Sequence, residues 1–253
     1  MAASSAPLNV GTSRKYRKSL LYLMIFLLIF LISTVIVMLY PNSVTSLIKE
    51  PVNTLKIWCL SYGALVLCGY NLLSRMESDL DASSASKRSS GSSTFLNHAS
   101  VTVVSSIKYG LLLFFSSIAF HIVAVLYGAP FTETVTETAM FGVLLTTLVT
   151  LPTLCVLGTN LECYSRLIGS RRPHPGIETC LAYIVVFSLL GAWLGAFPIP
   201  LDWDRPWQKW PVSCSIGALS GHTLGLTASV IHSGGGLGDS SETFFGRSKS
   251  KNY

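Results

Sequence analysis

RKYRKSLLYLMIFLLIFLISTVIVMLY, Arg14–Tyr40, decides the class of fold. Its apolar part, Leu20–Tyr40, contains no charged residue and follows directly on Arg14, Lys15, Arg17 and Lys18. About 20 mostly apolar residues take a helix across the ~30 Å hydrocarbon layer, where only a helix satisfies its own backbone without water. The stretch is long for a signal-peptide core and no small-residue cleavage site follows it. It therefore reads as a retained membrane span.

Outward from that segment the pattern repeats. Apolar blocks of similar length occupy Leu55–Leu73, Tyr109–Tyr127, Ala139–Leu157, Thr179–Phe197 and Val212–Ile231. Half of the 253 residues are hydrophobic, 12% are charged and the mean hydropathy is +0.53. Soluble domains carry about 25% charged residues, so much of this surface is not built for water. The expected fold is all-α: a polytopic transmembrane helix bundle of about six spans with both termini cytosolic. Residues 1–19 form a cytosolic tail, 20–73 the first two spans, 74–100 a disordered Ser-rich cytosolic linker, 101–232 a four-span core and 233–253 a cytosolic tail. In the last of these, Gly234, Gly235 and Gly236 are expected to end the final helix.

Orientation comes from the basic residues, which cytosolic loops retain. With the N-terminus inside, the outer loops hold only Lys49, Lys56, Arg205 and Lys209 of the 18 Lys and Arg. The formal net charge of +6 is thus a topology signal. No basic stripe with interleaved aromatics accompanies it, which argues against a nucleic-acid partner. The six cysteines have neither zinc-site spacing nor a pair in an outer loop. Cys163, next to the fourth span, is either an inert thiol or a palmitoylation site.

Ionisable residues at membrane depth are costly and often functional. His121 and His222 are the two inside spans, while Lys108, Glu137 and Glu178 lie at span edges. The histidines are on different helices without an acidic neighbour, so each reads as a hydrogen-bonded packing residue. Proton- or sodium-coupled transport would call for mid-span carboxylates, and there are none. No Ser/His/Asp set, zinc motif, phosphate-cradling loop or carboxylate pair is present. The sequence offers no catalytic residue, no metal site and no cofactor.

Two features stand out. Gly217, Gly221 and Gly225 recur every four residues in the sixth span, as do Gly191 and Gly195 in the fifth. Such spacing lets helix backbones approach closely in lipid. Both packing within the chain and docking onto a partner's helix use it. The second feature is the outer loop Phe197–Pro211, FPIPLDWDRPWQKWP, with four prolines and three tryptophans. Its Trp203, Trp207 and Trp210 suit a headgroup-level aromatic belt. Preset rigidity with aromatics and an arginine also suits a recognition surface, which would use Asp202, Trp203, Asp204, Arg205, Pro206, Trp207 and Trp210. Asp202 and Asp204 alone are too few carboxylates for a divalent cation site.

The run GAWLGAFPIPLDWDRPWQKWP, Gly191–Pro211, followed by the glycine-rich last span, closely resembles the PIG-F family of glycosylphosphatidylinositol (GPI) anchor biosynthesis. The likeness is strongest over Phe141–Ile231, including Leu151-Pro152 and Leu157-Gly158. It implies a multi-pass endoplasmic reticulum protein, a non-catalytic accessory subunit of GPI ethanolamine phosphate transferases. The expected partners are the bilayer and a catalytic subunit that transfers phosphoethanolamine to mannose of the GPI precursor; contact with the precursor itself stays open. The Ser-rich insert and Gly-rich tail depart from the family's compact form. Lys249 and Lys251 near the C-terminus resemble a dibasic retrieval signal, which requires a cytosolic tail. Two other readings are a stand-alone lipid head-group phosphotransferase using Asp202 and Asp204 on a metal, and a lipid carrier or scramblase.

Overall fold

A computed structural model describes residues 21–34, 47–84, 95–130, 132–159, 162, 164, 165, 167 and 177–249, and no strand occurs among them. The principal helices are α1 (Leu21–Thr34), α2 (Pro51–Ser84), α3 (Phe95–Leu126), α4 (Val135–Leu157), α5 (Ile177–Ala196) and α6 (Val212–Lys249). Five of them hold segments long and apolar enough to cross a bilayer: Pro51–Leu72, Ile107–Leu126, Val135–Leu157, Ile177–Ala196 and Val212–Gly234. These coincide with the second to sixth expected spans to within a few residues. The first expected span is represented by α1 alone, since 35–40 lie outside the described residues. The chain is an all-helical, multi-pass membrane bundle.

One expectation about the connecting segments is corrected, since Gly234, Gly235 and Gly236 do not end the last helix. Residues 74–84 continue α2 and 95–100 open α3, while 85–94, with Ser86, Ser89, Ser90, Ser92 and Ser93 of the expected linker, lie outside the described residues. Extending an existing helix costs no nucleation, and no proline interrupts 74–84. Likewise α6 runs through Gly234, Gly235 and Gly236 to Lys249. Each glycine costs a helix about 1 kcal/mol, yet none removes a hydrogen-bond donor as proline would. Cys163 and Lys251 fall outside the described residues.

Helix α4 is the centre of the bundle. Of its spanning segment 72% is buried, against 6% for Ile107–Leu126 of α3, which is almost wholly turned to lipid. Leu144 and Leu148 of α4 are fully buried and share one core with Tyr62 of α2, Ile184 of α5 and Ala218 of α6. Midway, α4 loosens into a π-helical turn at Thr146–Thr150, just before Pro152. Proline has no N–H and its ring collides with the preceding turn, so the helix widens there. Threonine hydroxyls cover the disturbed backbone. Thr146 donates to Gly142 O at 2.9 Å, Thr147 to Val143 O at 2.8 Å and Thr153 to Val149 O at 2.9 Å. Ser116 of α3 meets Thr150 Oγ1 at 2.6 Å. Gly158 ends α4 with φ +64°, a left-handed conformation that suits glycine.

A polar knot ties α2, α5 and α6 together in the apolar interior. His222, fully buried, has Nε2 3.1 Å from Tyr62 Oη and Nδ1 3.1 Å from Ser188 Oγ. Ser188 already donates to Ile184 O at 2.6 Å. Its oxygen is then left to accept from Nδ1–H, which makes Nε2 the acceptor for the Tyr62 hydroxyl. Phe30 of α1 and Trp58 pack around this knot, with Phe30 5.1 Å from His222 and Trp58 stacked on Tyr62 at 5.0 Å. His222 is thus a hydrogen-bonded packing residue sealed from solvent.

Candidate functional site

Both sequence features lie on the hairpin formed by α5, the Pro-rich loop and α6. Helices α5 and α6 approach until their backbones touch. A Cβ placed on Gly191 would sit 2.8 Å from Gly221 Cα and would also strike the Gly217 carbonyl. One on Gly195 would lie 2.5 Å from Ser213 O and 2.8 Å from Cys214 Cα, and one on Gly225 2.9 Å from Ile184 Cα. Every one of these obstacles is backbone, so no side chain can move aside. Gly191, Gly195, Gly217, Gly221 and Gly225 all face the partner helix within the chain. Ser229 closes the far end, donating to Cys180 O at 2.8 Å.

The loop is set by its own prolines and by one glutamine. Overlapping turns, with Ile199 N–H to Ala196 O at 3.1 Å and Leu201 N–H to Pro198 O at 3.1 Å, carry the chain off the end of α5. A 3-10 turn, Pro206–Gln208, starts on a proline whose fixed φ suits a helical first position. Gln208 is buried and donates to Pro198 O at 2.7 Å and to Leu201 O at 2.9 Å, while its Oε1 accepts the Arg205 N–H at 2.7 Å. Three bonds from one side chain thus clamp the ascending and descending halves of the loop. Sequence reading passed over Gln208, because an amide between two tryptophans gives no sign of pointing inward.

The seven loop residues singled out from sequence divide between surface and anchor. Asp202, Trp203, Asp204, Arg205 and Pro206 are exposed, and Trp207 is half-buried. Trp203 and Trp207 meet edge to face at 6.2 Å, so the two indoles form one ridge. Trp210 instead turns inward: its Nε1–H donates to Thr138 Oγ1 at 3.0 Å, and its ring lies 5.1 Å from Phe141. It pins the loop to the start of α4. Asp204 holds a left-handed backbone, φ +46°, which aspartate tolerates better than most residues.

Chemically the loop offers two carboxylates, a guanidinium, an ammonium and an aromatic ridge on a rigid base. No group of three His, Cys, Asp or Glu is gathered among the described residues. His121 of α3 is far along the chain from the loop, its Nδ1 buried without a hydrogen-bond partner.

Comparison with known proteins gives a consistent result. A family model described as "GPI biosynthesis protein family Pig-F" matches residues 27–230. Proteins of Mus musculus and Homo sapiens named "GPI ethanolamine phosphate transferase, stabilizing subunit" are 44% and 43% identical over 147 residues, 58% of this chain and 64% of theirs. "Glycosylphosphatidylinositol anchor biosynthesis protein 11" of Yarrowia lipolytica is 36% identical over 124 residues, 49% of this chain and 53% of that one. The matched stretch therefore spans less than two thirds of these relatives' length. No solved structure matches the chain.

Proposed function

The chain belongs to the GPI biosynthesis protein family Pig-F, and on that premise we propose that it is a non-catalytic subunit of a GPI ethanolamine phosphate transferase. It would stabilise the catalytic subunit in the endoplasmic reticulum membrane, where phosphoethanolamine is added to mannose of the GPI precursor. The observation that carries this reading is the name shared by the two mammalian relatives, a stabilizing subunit of that transferase.

The loop supports a contact role. Its base is clamped by Gln208 and Trp210, while Trp203 and Arg205 project, so the entropy of ordering the surface is met before any partner arrives. Aromatic and arginine side chains on a rigid base are what interface centres favour. The charge distribution supports a lumenal position for this loop and a cytosolic one for both termini.

Purification of the tagged chain in mild detergent tests the reading. A large catalytic transferase subunit should come with it, and Trp203→Ala with Arg205→Ala should weaken that recovery while α5–α6 stays folded. Cells lacking the chain should accumulate GPI intermediates short of the later phosphoethanolamine groups. A normal lipid profile in such cells would overturn the proposal.

A further inference from the structure

Between the end of α5 and the first charged residue of the loop lies FPIPL, residues 197–201. Phe197, Ile199 and Leu201 are 60%, 38% and 39% exposed. They alternate with Pro198 and Pro200, so no side chain of the five carries a polar atom. Every backbone donor is also accounted for. Phe197 N–H goes to Leu194 O at 3.2 Å, Ile199 N–H to Ala196 O at 3.1 Å and Leu201 N–H to Pro198 O at 3.1 Å, while the two prolines have no N–H. Beyond Leu201 this changes at once. Asp202 and Asp204 are exposed, and no backbone carbonyl among the described residues accepts from their N–H groups. A stretch facing water gains nothing from saturating its donors, whereas one facing acyl chains must, because they offer no acceptor.

Continuity says what covers this stretch. The exposed side of the spanning helix α5 leads into it through Leu190, Trp193 and Leu194, and the Phe197 ring meets Trp193 edge to face at 5.5 Å. Phe197 therefore shares the surface that α5 turns to lipid. Length agrees. Residues 179–201 carry no charge, with Glu178 before them and Asp202 after. Nineteen helical steps of 1.5 Å and five of about 2 Å in i→i+3 turns place those two carboxylates roughly 38 Å apart along the axis. A bilayer with its headgroup layers is about 40–45 Å thick, so both charges reach headgroups and everything between them stays in lipid. The height of the stretch is fixed as well, since Pro198 O and Leu201 O both accept from the buried Gln208 Nε2.

We infer that residues 197–201 are a membrane-embedded continuation of the α5 span, with Phe197, Ile199 and Leu201 against the lipid of the loop-side leaflet at the level of its ester groups. The loop then leaves the lipid only at Asp202, and Trp203 and Arg205 stand at the headgroup surface rather than above it. The inference does not depend on the chain's protein partner.

The test uses the unmodified full chain, alone, in phosphatidylcholine nanodiscs. One sample contains phosphatidylcholine with a diazirine beside its acyl ester, and a second receives a water-soluble diazirine. After photolysis, mass spectrometry gives the ratio of lipid-borne to water-borne label residue by residue. Residues 197–201 should show a ratio several-fold above that of residues 202–205 and similar to that of Leu190, Trp193 and Leu194. A ratio matching residues 202–205 overturns the inference, because the stretch would then stand in water as a surface kept for another protein. Protection of residues 197–201 from both reagents also overturns it, because protein rather than lipid would then cover them.

Discussion

Gly191→Ala adds one methyl group at the tightest crossing of α5 and α6. Its Cβ would lie 2.8 Å from Gly221 Cα and 3.0 Å from Gly221 N. Relaxed carbon contacts are about 3.5–4.0 Å, so the helices must separate by roughly 1 Å at that level. A gap of that size forfeits about a quarter to a half of each dispersion contact along the seam, and in lipid no hydrophobic term compensates. Overpacking of this kind costs about 1–3 kcal/mol. At 1.4 kcal/mol per factor of ten, that is roughly a 5- to 150-fold loss in the folding equilibrium. Gly110→Ala is the control, because nothing lies within 4 Å of its added Cβ. There the substitution should be neutral or stabilise by up to about 1 kcal/mol through helix propensity. Reversible unfolding in mixed micelles of increasing SDS, followed by tryptophan fluorescence, gives both values. If G191A stays within about 0.5 kcal/mol of the wild-type chain, the backbone contact deduced for this hairpin is wrong.

Three further outcomes follow from single side chains. Gln208→Ala removes three hydrogen bonds from the loop at about 0.5–1.5 kcal/mol each, and trypsin should then cut after Lys209 at least several-fold faster, with α6 still protected. Tyr62→Phe deletes the hydroxyl facing His222 and should cost about 0.6–1.7 kcal/mol in the same SDS titration; nitrogen NMR of the unmodified chain should show His222 protonated on Nδ1, and the opposite tautomer would refute the Tyr62–His222–Ser188 relay. Asp204→Val places a β-branched residue at φ +46° and should destabilise the loop by about 1–2 kcal/mol, whereas Asp204→Gly should be tolerated; equal behaviour in thermal shift would remove strain as the explanation.

The spans were legible because hydropathy and length are local properties: Val212 begins the last helix as expected, and the Thr179 and Ala139 boundaries moved only to Ile177 and Val135. The irregularities were not, because they depend on partners. Leu151-Pro152 marks a disturbed helix in any sequence, yet that it becomes a π turn covered by Thr146, Thr147 and Thr153 needs the neighbouring turn in place. Trp203 and Trp210 are the same residue type seven positions apart, and only the presence of Thr138 and Phe141 beside the second sends it inward.

The glycines illustrate how a motif can be correctly spaced while its use stays undetermined by spacing. A small residue every fourth position says that some backbone comes close, and in lipid any helix qualifies. Here the neighbour is the other arm of a hairpin held by the Gln208-clamped loop, so the two stripes are close in the chain as well as in space. Once they have met, their glycines can offer no equally close seat to a foreign helix on that face. What remains on the outside is an apolar seam walled by Leu190, Leu194, Ile216 and Leu224. The missing Cβ atoms therefore act at the joint itself, where each added one would meet the backbone of the other arm. The face that the hairpin does present beside its loop is the ridge of exposed Trp203 and half-buried Trp207, with Arg205 between them in the chain.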